Sequence, residues 1–159
     1  MKPAEILLQL CQQHKIILGA AESCTGGRFA SRLTQIPGAS ASFAGAIVSY
    51  QNKVKAKVLG VPETLLEEEG AVSMSVARFM LEGALRALSA DIGVAITGIA
   101  GPDGGTETTP VGTVYIALGG KSFGINVLQM QLEGTRIEIM EEAVDIAIAE
   151  LINLLQQTD

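Results

Sequence analysis

A serine stands where a nucleophile could work. The stretch Ala21-Glu22-Ser23-Cys24-Thr25-Gly26-Gly27 follows an apolar run, Ile16-Ile17-Leu18-Gly19-Ala20, and precedes Arg28-Phe29-Ala30-Ser31-Arg32-Leu33. The first flank reads as a buried strand over 16–21. The second reads as a helix over 26–36, stopped at Pro37-Gly38. Ser23 therefore falls on a strand-to-helix turn. Thr25, Gly26 and Gly27 are small enough for a ligand to approach the backbone. Free amides at a helix start can hold an anion or a developing oxyanion. The same residues would also make an ordinary helix cap with a glycine turn, and this segment alone leaves both readings open.

A serine nucleophile needs a base. The single histidine, His14, sits at the end of a helix over residues 3–14, where a surface position is expected, so a Ser-His-Asp triad is not expected. The segment Tyr50-Gln51-Asn52-Lys53-Val54-Lys55 offers a lysine instead. Asn52 suits the cap of a short helix over 53–59, which puts Lys55 in its first turn. There the positive end of the helix and burial would both lower the lysine's pKa. Lys53 and Lys57 point elsewhere on such a helix. A plain solvated lysine is the alternative reading of Lys55. A third stretch, Thr97-Gly98-Ile99-Ala100-Gly101-Pro102-Asp103-Gly104-Gly105-Thr106, carries four glycines in eight positions. Its amides could wrap a phosphate or carboxylate, or the loop could be structural. It matches neither the P-loop nor the dinucleotide fingerprint.

The elements that must position these residues follow from periodicity and punctuation. Phe43–Tyr50 reads as a strand, and Pro62 opens a short helix to Glu69. A longer helix spans Ser73–Leu88, with Val76, Phe79, Met80, Leu85 and Leu88 inward. Ile92–Thr97 is a buried strand, and Val111–Leu118 turns through Gly119-Gly120 into the strand Ser122–Gln131. Thr135 and Glu138 form a capping box for a last helix over 136–156. Helices alternating with buried strands, plus one antiparallel hairpin, give an α/β fold: a three-layer α/β/α sandwich on a mixed, mainly parallel sheet. Ser23, Tyr50 and Thr97 then share the rim at the strand C-terminal ends, where such folds gather ligands.

Composition narrows the function. The 159 residues, 48% hydrophobic and 4% aromatic without tryptophan, suit one domain spanning 1–159 with a core of Ala, Val, Ile and Leu. No apolar run is long enough to span a membrane, and no signal-type leader is evident, so a soluble cytoplasmic protein is expected. A net charge of −6 with no clustered basic face argues against nucleic acid. One histidine and two cysteines, Cys11 and Cys24, do not make a zinc set or a disulfide framework, so no metal is expected.

Taken in order, the motifs AESCTGG at 21–27, Y-x-N-x-x-K at 50–55, GAVS at 70–73, TGIAGPDGG at 97–105 and PVGTVY at 110–115 make the chain resemble the C-terminal domain of the competence/damage-inducible CinA family, which also occurs as a stand-alone nicotinamide mononucleotide deamidase. The resemblance runs from about Ile6 to Leu154. It implies an α/β/α amidohydrolase that converts nicotinamide mononucleotide to nicotinate mononucleotide and ammonia, without metal or cofactor, in the manner of serine/lysine enzymes. By position it implies Ser23 as nucleophile, Lys55 as base and Tyr50 beside them. The expected substrate contacts are Thr25, Gly26, Gly27, Asn52, Thr97, Gly98, Gly101, Gly104, Gly105 and Arg136, and the expected assembly is a homo-oligomer. Two positions depart from the family pattern: Met140 stands where a second arginine is usual, and Met74 where glutamate is usual. An arginine restored at 140 would be expected to tighten phosphate binding. The alternative from another class is a non-catalytic nucleotide-binding or competence-associated regulatory module.

Overall fold

The computed structural model describes residues 1–158. In chain order the elements are α1 (Pro3–His14), β1 (Leu18–Glu22), α2 (Arg28–Thr34), a single 3-10 turn at Ala39–Ala41, β2 (Phe43–Val48), α3 (Asn52–Leu59), α4 (Glu63–Glu69), α5 (Met74–Leu88), β3 (Ile92–Gly98), β4 (Thr113–Gly120), β5 (Gly124–Gln131) and α6 (Arg136–Gln156). The five strands form one sheet in the order β2-β1-β3-β4-β5. β1 pairs parallel with β2 and β3, whereas β4 pairs antiparallel with both β3 and β5. The sheet is mixed as the sequence implied, with its parallel and antiparallel pairings in balance. Four of the five strands run the same way, with β4 reversed, and the three whose ends carry Ser23, Tyr50 and Thr97 lie side by side in the parallel part.

Helices cover both faces. One core joins α1, α2 and α6 to the face carrying Leu18, Ala20, Val94, Ile96, Val114 and Ile116. The other joins α3, α4 and α5 to the face carrying Ala21, Ala95 and Ala117. Odd and even strand positions thus feed different cores, as the period-2 pleat requires. Because both faces are covered, β1 is buried throughout and β3 nearly so, and neither strand alternates in polarity. The edge strand β5 alternates exposed and half-buried positions along most of its length.

Several expected boundaries move, each for a physical reason. Gly119 and Gly120 pair with Ile125 and Gly124 inside the ladder, so the hairpin turn falls at Lys121–Phe123. Asn52 is the first residue of α3 and makes no side-chain cap; Gln51 is the extended residue before the helix. Ser73 caps α5 by accepting from the Val76 amide. The buried face of α5 is Val76, Ala77, Met80, Leu81, Gly83 and Ala84, and Phe79 is exposed. Ala77, Gly83 and Ala84 let α5 lie close on its neighbours, while Val76, Met80 and Leu81 fill the rest of the face. A Cβ at Gly83 would overlap the Leu59 carbonyl. The Thr135–Glu138 capping box forms as expected at the head of α6.

Gly83→Ala should therefore destabilise the protein by roughly 1–3 kcal/mol, although alanine is the better helix former. Urea denaturation checks this, and an unchanged midpoint would show that α5 can move away from α3 at little cost.

Candidate active site

Glu22 ends β1, and the chain then turns sharply over Ser23–Gly27 into α2. Gly26 and Gly27 take the left-handed conformation, with φ of 59° and 100°. The turn is closed by Gly26 N donating to Ser23 O and Arg28 N donating to Thr25 O. The Ser23 amide donates to Ile96 O, which fixes the serine against β3. From the neighbouring strand, β2 delivers Ser49 and Tyr50, and α3 then begins. Side chains on a helix lean toward its N-terminus, so a lysine at the fourth position of α3 reaches back over the residues that precede the helix.

Lys55 does so. Its side chain is fully buried, and Nζ lies 2.9 Å from Ser23 Oγ, 2.8 Å from Ser49 O and 3.0 Å from Tyr50 O. Lys53 and Lys57 are exposed and point away, as the helix phase implied. Burial pushes the Lys55 pKa down to about 8, because removal from water disfavours the ammonium. The geometry suits both protonation states. An ammonium donates three hydrogen bonds to the three oxygens. A neutral amine keeps two N–H groups for the two carbonyls, which turns its lone pair toward the Ser23 hydroxyl.

Above this pair lies a cavity of about 250 Å³. Its lining includes Ser23, Lys55, Tyr50, Thr97, Gly98, Gly101, Gly104 and Arg136, which brings together eight of the residues singled out in the sequence. Tyr50 and Arg136 are exposed at its mouth. Arg136 donates through one terminal nitrogen to Gly101 O at 2.7 Å and through the other to the Tyr50 hydroxyl at 2.9 Å. Thr97 is buried, and its hydroxyl donates to Ala71 O, which ties the end of β3 to the segment between α4 and α5.

Five expected contacts lie outside the lining. Thr25 is buried, and its hydroxyl donates to Glu22 Oε1 at 2.6 Å, so it belongs to the scaffold of the turn. Gly26 and Gly27 shape that same turn. Asn52 is exposed on α3. Gly105 backs onto Val111, where a Cβ would meet the Val111 amide at 2.8 Å. The first-turn amides of α2 are not open to an anion either. Phe29 N donates to Glu22 Oε1 and Ala30 N to Glu22 Oε2.

Met140 is buried in the core between α6 and the sheet and does not line the cavity. An arginine there would bury a charge rather than reach a ligand, so the expectation of tighter phosphate binding is withdrawn. Met74 is exposed at the start of α5. Sequence reasoning missed Cys24, Ala71, Val72, Ile99, Ala100 and Asp103 in the lining. Burial raises the Cys24 thiol to about 12, which keeps it protonated beside the serine. Among the described residues no group of three or more His, Cys, Asp or Glu side chains could hold a metal ion, and no helix is long and apolar enough to cross a membrane.

A mixed α/β/α sandwich with a buried serine–lysine pair at the rim of its parallel strands defines the class. The CinA C-terminal domain family matches residues 1–155, and the chain belongs to that family. A CinA-like protein of Gemmatimonas aurantiaca is 43% identical over 148 residues, 93% of this chain and 34% of that one. A CinA-like protein of Leptospira borgpetersenii is 42% identical over 154 residues, 97% of this chain and 37% of that one. The chain thus spans about a third of the length of the curated relatives it matches. Among solved structures, the competence/damage inducible protein of Agrobacterium tumefaciens superposes with a TM-score of 0.90 at 36% identity, covering 96% of this chain and 94% of that one. A CinA superfamily protein of Klebsiella pneumoniae gives a TM-score of 0.90 at 31% identity, with 99% of each chain covered.

The Lys55 pKa has a consequence for stability. In the unfolded chain the lysine titrates near 10.5; in the folded protein it titrates near 8. Between these values the unfolded state binds more protons, so folding stability gains from Lys55 as pH rises through 8 to 10.5. Relative to Lys55→Met, the wild type should therefore gain up to roughly 3 kcal/mol over that window. Urea denaturation of both proteins at pH 7.5 and pH 10 tests this. A constant difference between them would mean that Lys55 titrates normally.

Proposed function

We propose that this domain is an amidohydrolase acting on nicotinamide mononucleotide, releasing ammonia and nicotinate mononucleotide. The observation that supports this most directly is the 2.9 Å contact between Lys55 Nζ and Ser23 Oγ beneath an open cavity. Neutral Lys55 takes the proton from Ser23, and Oγ attacks the carboxamide carbon. The tetrahedral oxyanion is held by backbone amides beside Ser23 or along the 97–105 loop. Lys55, now an ammonium, gives its proton to the leaving nitrogen, and ammonia departs from an ester on Ser23. Water, deprotonated by Lys55, attacks that ester. The ester collapses to the carboxylic acid as the Lys55 proton returns to Ser23, and the acid then releases its own proton to solvent to become the carboxylate.

The rest of the cavity supplies the binding. Ala71, Val72, Ile99 and Ala100 offer apolar surface for the pyridine ring, and Arg136 at the mouth offers charge for the phosphate. A second reading, a non-catalytic nucleotide-binding module, draws on the competence- and damage-related names of the relatives. It predicts a thermal shift with nucleotide but no ammonia.

Ammonia release from nicotinamide mononucleotide decides between them. Ser23→Ala and Lys55→Met should each abolish it in folded protein, and the double variant should be little worse than either single one. The rate should climb with pH through about 8, where Lys55 becomes neutral. Prolonged chelation should leave it unchanged. Arg136→Ala should raise KM about ten- to hundredfold more than it lowers kcat, the scale of one lost charged hydrogen bond. If it lowers use of the nucleotide and of the dephosphorylated riboside equally, Arg136 is structural.

A further inference from the structure

We infer that Glu22 is a positioning residue that sets the register of Ser23 against Lys55. This rests on the reading of Ser23 as a nucleophile. Glu22 is fully buried, an unusual place for a carboxylate unless its oxygens are met. They are met by three donors on the far side of the serine: Thr25 Oγ1 at 2.6 Å and Phe29 N at 2.9 Å on Oε1, and Ala30 N at 3.1 Å on Oε2. An ordinary helix cap comes from the residue next to the helix. Here it comes from six positions before Arg28, at the end of a strand, so the side chain brackets the whole turn that carries Ser23.

The backbone of Glu22 acts on the other partner. Its carbonyl accepts from the Ser49 amide at 2.8 Å, and the Ser49 carbonyl accepts from Lys55 Nζ. One residue thus fixes the serine through its carboxylate and anchors a lysine acceptor through its carbonyl. Cutting the carboxylate bonds frees the turn while leaving the lysine side in place. Ser23 Oγ then loses its alignment with Nζ, which displacements of about 1 Å make costly by roughly a hundredfold.

The test uses Glu22→Gln and Thr25→Val in the full chain. An active-site sulfonyl fluoride reports Ser23 reactivity without reference to the natural substrate, and ammonia release from nicotinamide mononucleotide gives kcat and KM. In E22Q the labelling rate and kcat should both fall about ten- to hundredfold while KM changes less than about threefold. T25V removes one of the three donors, so it should give a smaller loss of the same kind, in kcat and labelling and not in KM. Folding is judged by circular dichroism and a cooperative melt, with rates read well below each melt. A folded variant labelled at the wild-type rate, or one that loses only KM, overturns the inference; if E22Q does not fold, T25V alone decides. Wild-type protein that is not labelled at Ser23 would instead overturn the nucleophile reading itself.

Discussion

Everything at the candidate site depends on a lysine amine taken wholly out of water. Lys55 has no solvent to support its charge, so it relies on Ser49 O, Tyr50 O and Ser23 Oγ. Two of these are backbone carbonyls just beyond the edge strand β2, where Ser49 N donating to Glu22 O continues the pairing with β1. The amine cannot drift toward solvent without leaving three oxygens unmet. That rigidity is what a proton-transfer pair requires, and it comes from burial together with main-chain geometry.

The fold supplies this environment through its parallel half. Parallel neighbours end at the same rim, so the segments after β1 and β2 and the end of β3 meet there. The antiparallel β4 contributes from the other side. Its start pairs with the end of β3, which places the 98–110 loop over the cavity, with Ile99 N donating to Thr113 O and Gly112 N to Ile99 O. Arg136 then links that loop to Tyr50 across the mouth. The head of α6 is held near the nucleophile turn by a second set of contacts. Arg28 and Arg32 of α2 both pair with Glu141, and Arg32 also pairs with Asp145. These ion pairs are partly exposed and individually weak. Their value lies in joining α2, which follows the Ser23 turn, to α6, whose first residue Arg136 lines the cavity.

The anion-binding potential of the α2 start is already consumed. Its first amides serve Glu22, a carboxylate of the protein itself. That helix start therefore offers nothing to an anion, and Arg136 is the cationic side chain exposed at the cavity mouth.

Local chemistry made much of this legible from sequence. Pro3 and the Thr135–Glu138 box placed the ends of α1 and α6, because capping is decided within four residues. Apolar runs placed β1 and β3, and glycine pairs marked the turn after Ser23. Motif order gave the family. Helix phase favoured Lys55 over Lys53 and Lys57 but left open whether Lys55 is solvated, and its burial is a property of how α3 packs on α5 and the sheet. Phe79 looked inward by periodicity but is exposed, because the buried stripe of α5 runs through Val76, Ala77, Met80, Leu81 and Ala84 and leaves position 79 to one side of it. Gly119 and Gly120 looked like a turn but join the ladder, since pairing extends as far as the partner strand allows. Glu22 is the sharpest case. A charged residue at the end of an apolar run was visible, but its partners lie across the turn at 25, 29 and 30. The sequence by itself determined most of the elements and nominated Ser23 and Lys55 as candidates, because local pattern and motif order rest on neighbours in the chain. Tertiary structure alone decided which polar groups are spent on the scaffold and which remain for a ligand, because a hydrogen bond can be assigned only once both of its ends have a place.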